Sequence, residues 1–102
     1  MKFLKKLFGK KYKQAKYVPH KITIQNDKRG NQIHYKDHDT GYEEWREWDE
    51  NNNLIHFKNS EGLEYWKEYD EDGNVIHYKD ESGYEYYDKY DNKHNLISHR
   101  RL

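Results

Sequence analysis

A period of 21 residues constrains this chain more than any other feature. Ile55, Ile76 and Ile97 stand 21 apart, as do Trp48, Tyr69 and Tyr90, and Gly41, Gly62 and Gly83. Ile33 precedes Ile55 by 22, because "DHDTG" has one residue more than "NSEG". Self-similarity at a fixed period marks a repeat architecture. Each unit is too short for a pair of helices. Its runs are rich in Tyr, Trp, Ile and Val, and Gly, Asn and Asp separate them, which is the pattern of strands joined by tight turns. The sequence therefore predicts an all-β antiparallel meander of about eight strands built from 21-residue hairpin repeats, as a curled single sheet or a short solenoid. The strands fall near 22–26, 32–37, 42–49, 53–58, 63–70, 74–79, 84–91 and 95–100.

An odd period makes a demand on the turns. Side chains alternate between the two faces of a strand. If every connection had an odd length, a shift of 21 would send each copy to the opposite face. One odd and one even loop per unit removes the conflict. "EDG" at 71–73 suits a three-residue loop with Gly73 in the left-handed region. "DESG" at 80–83 suits a four-residue loop. Asn52 and His94 occupy the place of Gly73, and Asn tolerates that conformation better than most residues. With these turns one face carries Trp45, Ile55, Phe57, Trp66, Ile76, Tyr78, Tyr87 and Ile97, bordered by Glu43, Glu47, Glu64, Glu68 and Glu85. The other carries Tyr42, Trp48, Leu54, His56, Leu63, Tyr65, Tyr69, Val75, His77, Tyr84, Tyr86, Tyr90 and Leu96. Trp66 then faces Tyr78, and Trp45 faces Phe57. The Trp and Ile face is expected to pack better. Two half-apolar faces also suggest a homodimer through an aromatic face.

Hydrophobic residues are only 32% of the 102, and charged residues 37%. Such a balance ordinarily means disorder. The 17% of aromatic residues opposes this, because rings bury much area each. Without cysteine, neither a disulfide frame nor a thiolate metal site can form. The net charge of zero conceals two halves. Residues 1–21 carry eight Lys and no acid; residues 22–102 carry 11 Lys and Arg against 19 Asp and Glu, a net of minus eight.

The organisation expected is a basic tail over 1–20 and a hairpin-repeat domain over 21–102. In the tail, Phe3, Leu4, Leu7 and Phe8 share one stripe at helical spacing, with Lys2, Lys5, Lys6 and Lys13 largely opposite. Phe3, Leu4, Lys5, Lys6, Leu7, Phe8, Lys10 and Lys11 are candidates for contact with an anionic membrane surface or an acidic partner. Packing of this stripe on the sheet is the plainer alternative. "FLKKLF" is broken by lysines and offers no signal-peptide core. The expected location is cytoplasmic, with peripheral membrane attachment as a variant.

"YDEDGNVIHYKDESGYEYYDKYD" resembles the YD, or RHS-type, repeat of bacterial proteins: an aromatic residue and Asp, two variable residues, Gly-Asn, an aliphatic residue, then a Gly-led aromatic strand. The likeness covers about residues 21–100. It implies a β-hairpin array. In large members, long arrays wind into shells around toxin segments; three and a half units are too few to enclose anything. The hairpins are more loosely similar to choline-binding repeats, without their Gly-Trp opening.

Chemistry is scarce. His34, His56 and His77 lie on every second strand, roughly 10 Å apart, whereas zinc needs ligands at about 2.1 Å. They are read as stacking partners, His56 on Tyr65 and His77 on Tyr86, and no metal or other cofactor is expected. Glu43, Glu64 and Glu85 recur once per unit, as do Glu47 and Glu68. This suits solvated rims better than a catalytic pair. No Walker loop, HExxH or GxSxG motif occurs, and the DTG at 39–41 lacks a second copy. The chain reads as a non-enzymatic interaction module, in one version a small acidic bacterial or phage inhibitor of a basic nucleic-acid-handling protein. Its candidate binding residues are Tyr42, Trp48, His56, Tyr65, Tyr69, His77, Tyr86 and Tyr90. Glycan or cell-wall binding through the rings, and membrane attachment by the tail, stay open. Direct nucleic-acid binding by the acidic sheet is not expected.

Overall fold

The computed structural model describes residues 21–102, so the expected amphipathic segment, with Phe3, Leu4, Lys5, Lys6, Leu7, Phe8, Lys10 and Lys11, lies outside the described residues. Every regular element among the described residues is a strand: β1 (Ile22–Asn26), β2 (Gln32–Asp37), β3 (Glu43–Trp48), β4 (Leu54–Asn59), β5 (Glu64–Tyr69), β6 (Val75–Asp80), β7 (Glu85–Tyr90) and β8 (Leu96–Arg101). They form one antiparallel sheet in chain order, β1 to β8, which does not close.

The turns explain the order. In the β5–β6 turn, Asp70 N–H donates to Asn74 O at 2.9 Å and Gly73 N–H to Asp70 O at 3.1 Å. Gly73 has φ +87°, where only glycine is unstrained. Asn52 and His94 take the same place at φ 65° and 67°, as the sequence predicts. Asp70 fixes the loop further: its Oδ1 accepts from the N–H of Asp72 and of Asn74, and its Oδ2 from Asn74 Nδ2. Asp27, Asp49 and Asp91 repeat these bonds with Asn31, Asn53 and Asn95. Asp and Asn are turn formers because their side chains bond backbone groups a few residues on.

"DESG" departs from expectation. Asp80 N–H donates to Tyr84 O at 3.0 Å and Gly83 N–H to Asp80 O at 3.1 Å, which leaves three residues in the loop rather than four. Among the described residues the only four-residue connection of this kind is 38–41, closed by Asp37 and Tyr42, and it accounts for the 22-residue step. The change of face comes instead from inside the hairpins. Tyr69 pairs with Val75 but Glu68 with His77, so Ile76 is an extra residue in β6. Ile33, Ile55 and Ile97 are extra in the same way. Each is a β-bulge, which sets two residues of one strand against one of its neighbour.

The bulge reverses the expected faces beyond it. Phe57 and Tyr78 leave the Trp side, and His56 and His77 join it. Trp66 lies opposite His56 and Lys79 rather than Tyr78; Trp45 lies opposite His34 and Lys58 rather than Phe57. His56 stacks on Trp66 at 5.2 Å and His77 on Tyr87 at 4.2 Å, instead of on Tyr65 and Tyr86. Trp45 and Trp66 still share a face, because one bulge per 21 residues has the same parity as one even loop.

The better-packed face is the Tyr face, contrary to expectation. Phe57, Tyr65, Tyr78 and Tyr86 form a continuous ladder with successive centroids 5.2, 6.0 and 5.4 Å apart. Arg46 caps it at 4.9 Å from the Phe57 ring. Phe57 is the buried apolar side chain, whereas Trp45, Trp66 and Tyr87 are 38–42% exposed. Phe57–Tyr65 and Tyr78–Tyr86 are directly opposed cross-strand aromatic pairs, each contributing about 0.2–1 kcal/mol. Ring ladders thus replace a buried aliphatic core.

Candidate functional site

The exposed face is built of rows that cross the strands. One row runs Glu47, His56, Trp66, Lys79, Glu85 over five neighbouring strands, β3 to β7. The row before it is Gln25, His34, Trp45, Lys58, Glu64. The row after it, Glu68, His77, Tyr87, Arg100, ends at the edge strand β8. The alternation Glu-x-Trp-x-Glu at 43–47 and 64–68 produces these rows, since i, i+2 and i+4 point the same way.

His56 and His77 each sit between two carboxylates. His56 Nε2 lies 2.8 Å from Glu64 Oε2, and its Nδ1 3.5 Å from Glu47 Oε2. His77 Nε2 lies 2.7 Å from Glu85 and its Nδ1 3.4 Å from Glu68. His34 Nε2 lies 2.6 Å from Glu43. Among the described residues no group of three or more His, Cys, Asp or Glu is placed to hold a metal ion. The His rings also occupy one side of the exposed rings, stacking at interplanar angles of 8° on Trp66 and 2° on Tyr87. Glu47 and Glu68 keep 69% of their side-chain surface open.

Of the expected binding residues, His56 and His77 lie on this face. Tyr42, Trp48, Tyr65, Tyr69 and Tyr86 lie on the opposite, packed one, and Tyr90 also pairs there with Leu96. Several of these rings hold neighbouring strands together: Trp48 Nε1 donates to Gln32 O at 2.8 Å, and Tyr69 OH to Leu54 O at 2.7 Å. Tyr42 OH donates to Glu44 at 2.7 Å and accepts from the buried Asn59 Nδ2 at 3.3 Å. The Glu44 bond, with burial second, holds the Tyr42 hydroxyl above its usual range. Burial does the same for Tyr69 and Tyr86, helped by Asp49 and Asp88 respectively. The exposed rings Trp45, Trp66 and Tyr87 were absent from the expected set. The Glu-x-aromatic alternation marks them in the sequence.

The other charged feature is a rim. The turns after β3, β5 and β7 lie at one end of the sheet and carry Asp49, Glu50, Asp70, Glu71, Asp72 and Asp91. The backbone N–H of Asn53, Asn74 and Asn95 is the chief cause that holds Asp49, Asp70 and Asp91 below the usual carboxylate range. These three stay ionised at neutral pH. Among the described residues no ion pair engages Glu50, Glu71 or Asp72, and Glu47 and Glu68 continue the negative surface onto the exposed face.

Comparison with protein-family models finds no match, and neither does comparison with curated proteins. The likeness to YD-type repeats rests on the residues quoted above.

Proposed function

We propose that the chain is a non-enzymatic interaction module, an array of 21-residue hairpin repeats that receives a basic protein partner along its acidic turn rim. The observation that supports this reading is the row of carboxylates at one end of the sheet, continued by Glu47 and Glu68 beside exposed ring edges. A fixed line of negative charge steers a basic partner and sets its register. Aromatic edges beside it supply the apolar contact that such interfaces concentrate at their centres. A bacterial or phage inhibitor that occupies the basic surface of a nucleic-acid-handling protein is one form this function takes.

The test is affinity capture from a bacterial lysate by the full chain and by a Glu50→Gln/Glu71→Gln/Asp72→Asn variant, with identification by mass spectrometry. The expected result is a basic protein retained by the native chain, released as salt rises from about 0.05 to 0.5 M, and not retained by the variant. Equal retention by both chains, or retention insensitive to salt, contradicts the proposal.

A further inference from the structure

The last row of the exposed face departs from its predecessors, and a groove opens there. The groove has a volume of about 480 Å³ and is lined by Ile76, Tyr87, Lys89, Tyr90, Ser98 and Arg100, together with the acids Asp70 and Asp88. Positions 21 residues earlier hold Ile55, Trp66, Glu68, His77 and Lys79. There the His77 ring and the Glu68 carboxylate fill the space and meet at 3.4 Å. In the last row Lys89 faces Ser98 instead. Serine takes away a ring, and lysine inverts the charge.

The remaining wall is a ring with its own support. Tyr87 stacks on His77 at 4.2 Å and 2°, and the Arg100 guanidinium carbon lies 6.0 Å from the Tyr87 centroid. Lys89 makes no ion pair among the described residues. Both lining acids are already engaged: the Asp70 carboxylate accepts three hydrogen bonds within its own turn, and the Asp88 carboxylate pairs with His99 Nδ1. The groove thus combines an apolar floor, an aromatic wall, a serine hydroxyl, two cations and two acids whose carboxylates are engaged elsewhere. Its size falls within the range of about 300–1,000 Å³ that small-molecule sites occupy.

We infer that this groove binds a small aromatic carboxylate, its ring against Ile76 and Tyr87 and its carboxylate between Lys89 and Arg100. A cationic ligand would meet Lys89 and Arg100, and a purely apolar one would leave both without a counter-charge. The site adjoins the acidic rim at Asp70 but does not depend on the partner proposed above.

The probe is phenylacetate, with phenylacetamide as its neutral counterpart, titrated into the isotope-labelled full chain and followed by amide chemical shifts. Saturable shifts are expected at residues 76, 87–89 and 98–100, with phenylacetamide weaker by about tenfold or more for loss of the charged hydrogen bonds. The double variant Lys89→Glu/Ser98→His restores the residues that stand at 68 and 77, so the sheet has a ready packing for them, and it is expected to abolish these shifts. Lys89→Gln, which keeps length and removes charge, is expected to weaken binding about tenfold. Equal affinity for the acid and the amide, undiminished binding by either variant, or no saturable shift overturns the inference.

Discussion

Replacing Tyr78 by alanine tests which face holds the sheet together. Tyr78 lies mid-ladder, with ring centroids 6.0 Å from Tyr65, 5.4 Å from Tyr86 and 6.0 Å from Tyr84. Its hydroxyl donates to Asp80 Oδ2 at 3.0 Å. Aromatic pairs contribute about 0.5–1.5 kcal/mol each beyond area burial. A net hydrogen bond adds about 1 kcal/mol. The side chain is only half-buried and the ring pairs are coupled, so the sum must be discounted; a loss of about 3 kcal/mol is expected. Among the described rings Trp66 stacks on His56 alone, and it is 38% exposed. Trp66→Ala should therefore cost about 1–1.5 kcal/mol. Urea denaturation followed by circular dichroism measures both, and Tyr78→Phe isolates the hydroxyl. If Trp66→Ala costs as much as Tyr78→Ala, the Tyr face is not the packed one and the reasoning fails.

Other consequences are independent of that comparison. Gly73 has φ +87° and no atom within 4 Å of an added Cβ, so Gly73→Ala should lose about 1–2 kcal/mol from backbone strain alone, with Gly73→Asn milder; equal loss for both would point to a side-chain clash instead. The carboxyls of Asp49, Asp70 and Asp91 are held low in the folded chain, so their contribution is complete above the unfolded value near 3.8 and lost as pH falls through the lower folded values. Stability measured by urea unfolding should thus drop below about pH 4, and a chain with all three changed to Asn should show a flatter acid limb; an unchanged limb contradicts this. Burial first, and then the Asp80 bond, push the Tyr78 hydroxyl up from 10.0 to about 12. Its contribution is therefore complete below pH 10 and declines as pH rises towards 12, and Tyr78→Phe should remove part of that alkaline decline.

Much of the fold was legible before any coordinates. Aromatic and β-branched runs placed the strands, and the Gly, Asn and Asp between them, Gly73 above all, placed the turns, because these residues satisfy local backbone demands that a single sequence displays. Even the left-handed residues Asn52 and His94 followed from their alignment with Gly73. Which residues share a face did not follow. An odd period requires one change of parity per unit, but a four-residue loop and a bulge satisfy it equally. The bulge falls at Ile55 and Ile76, between ordinary strand formers, where no glycine or proline marks it. This single ambiguity moved His56, Phe57, His77 and Tyr78 to the wrong sides, and with them the expected stacking partners. The groove at Ser98 is not marked by the repeat for a different reason: it lies where the repeat breaks, with Lys89 and Ser98 in the places of Glu and His.

The assignment of faces by one bulge per hairpin is tested most directly by proton–proton contacts in solution. Nuclear Overhauser spectra of the full chain should connect the His77 ring with the Tyr87 ring, and the Tyr78 ring with the Tyr86 ring, as their centroid separations of 4.2 and 5.4 Å require. Contacts from His77 to Tyr86, with Tyr78 meeting the Trp66 ring, would show an unbulged strand and contradict the account.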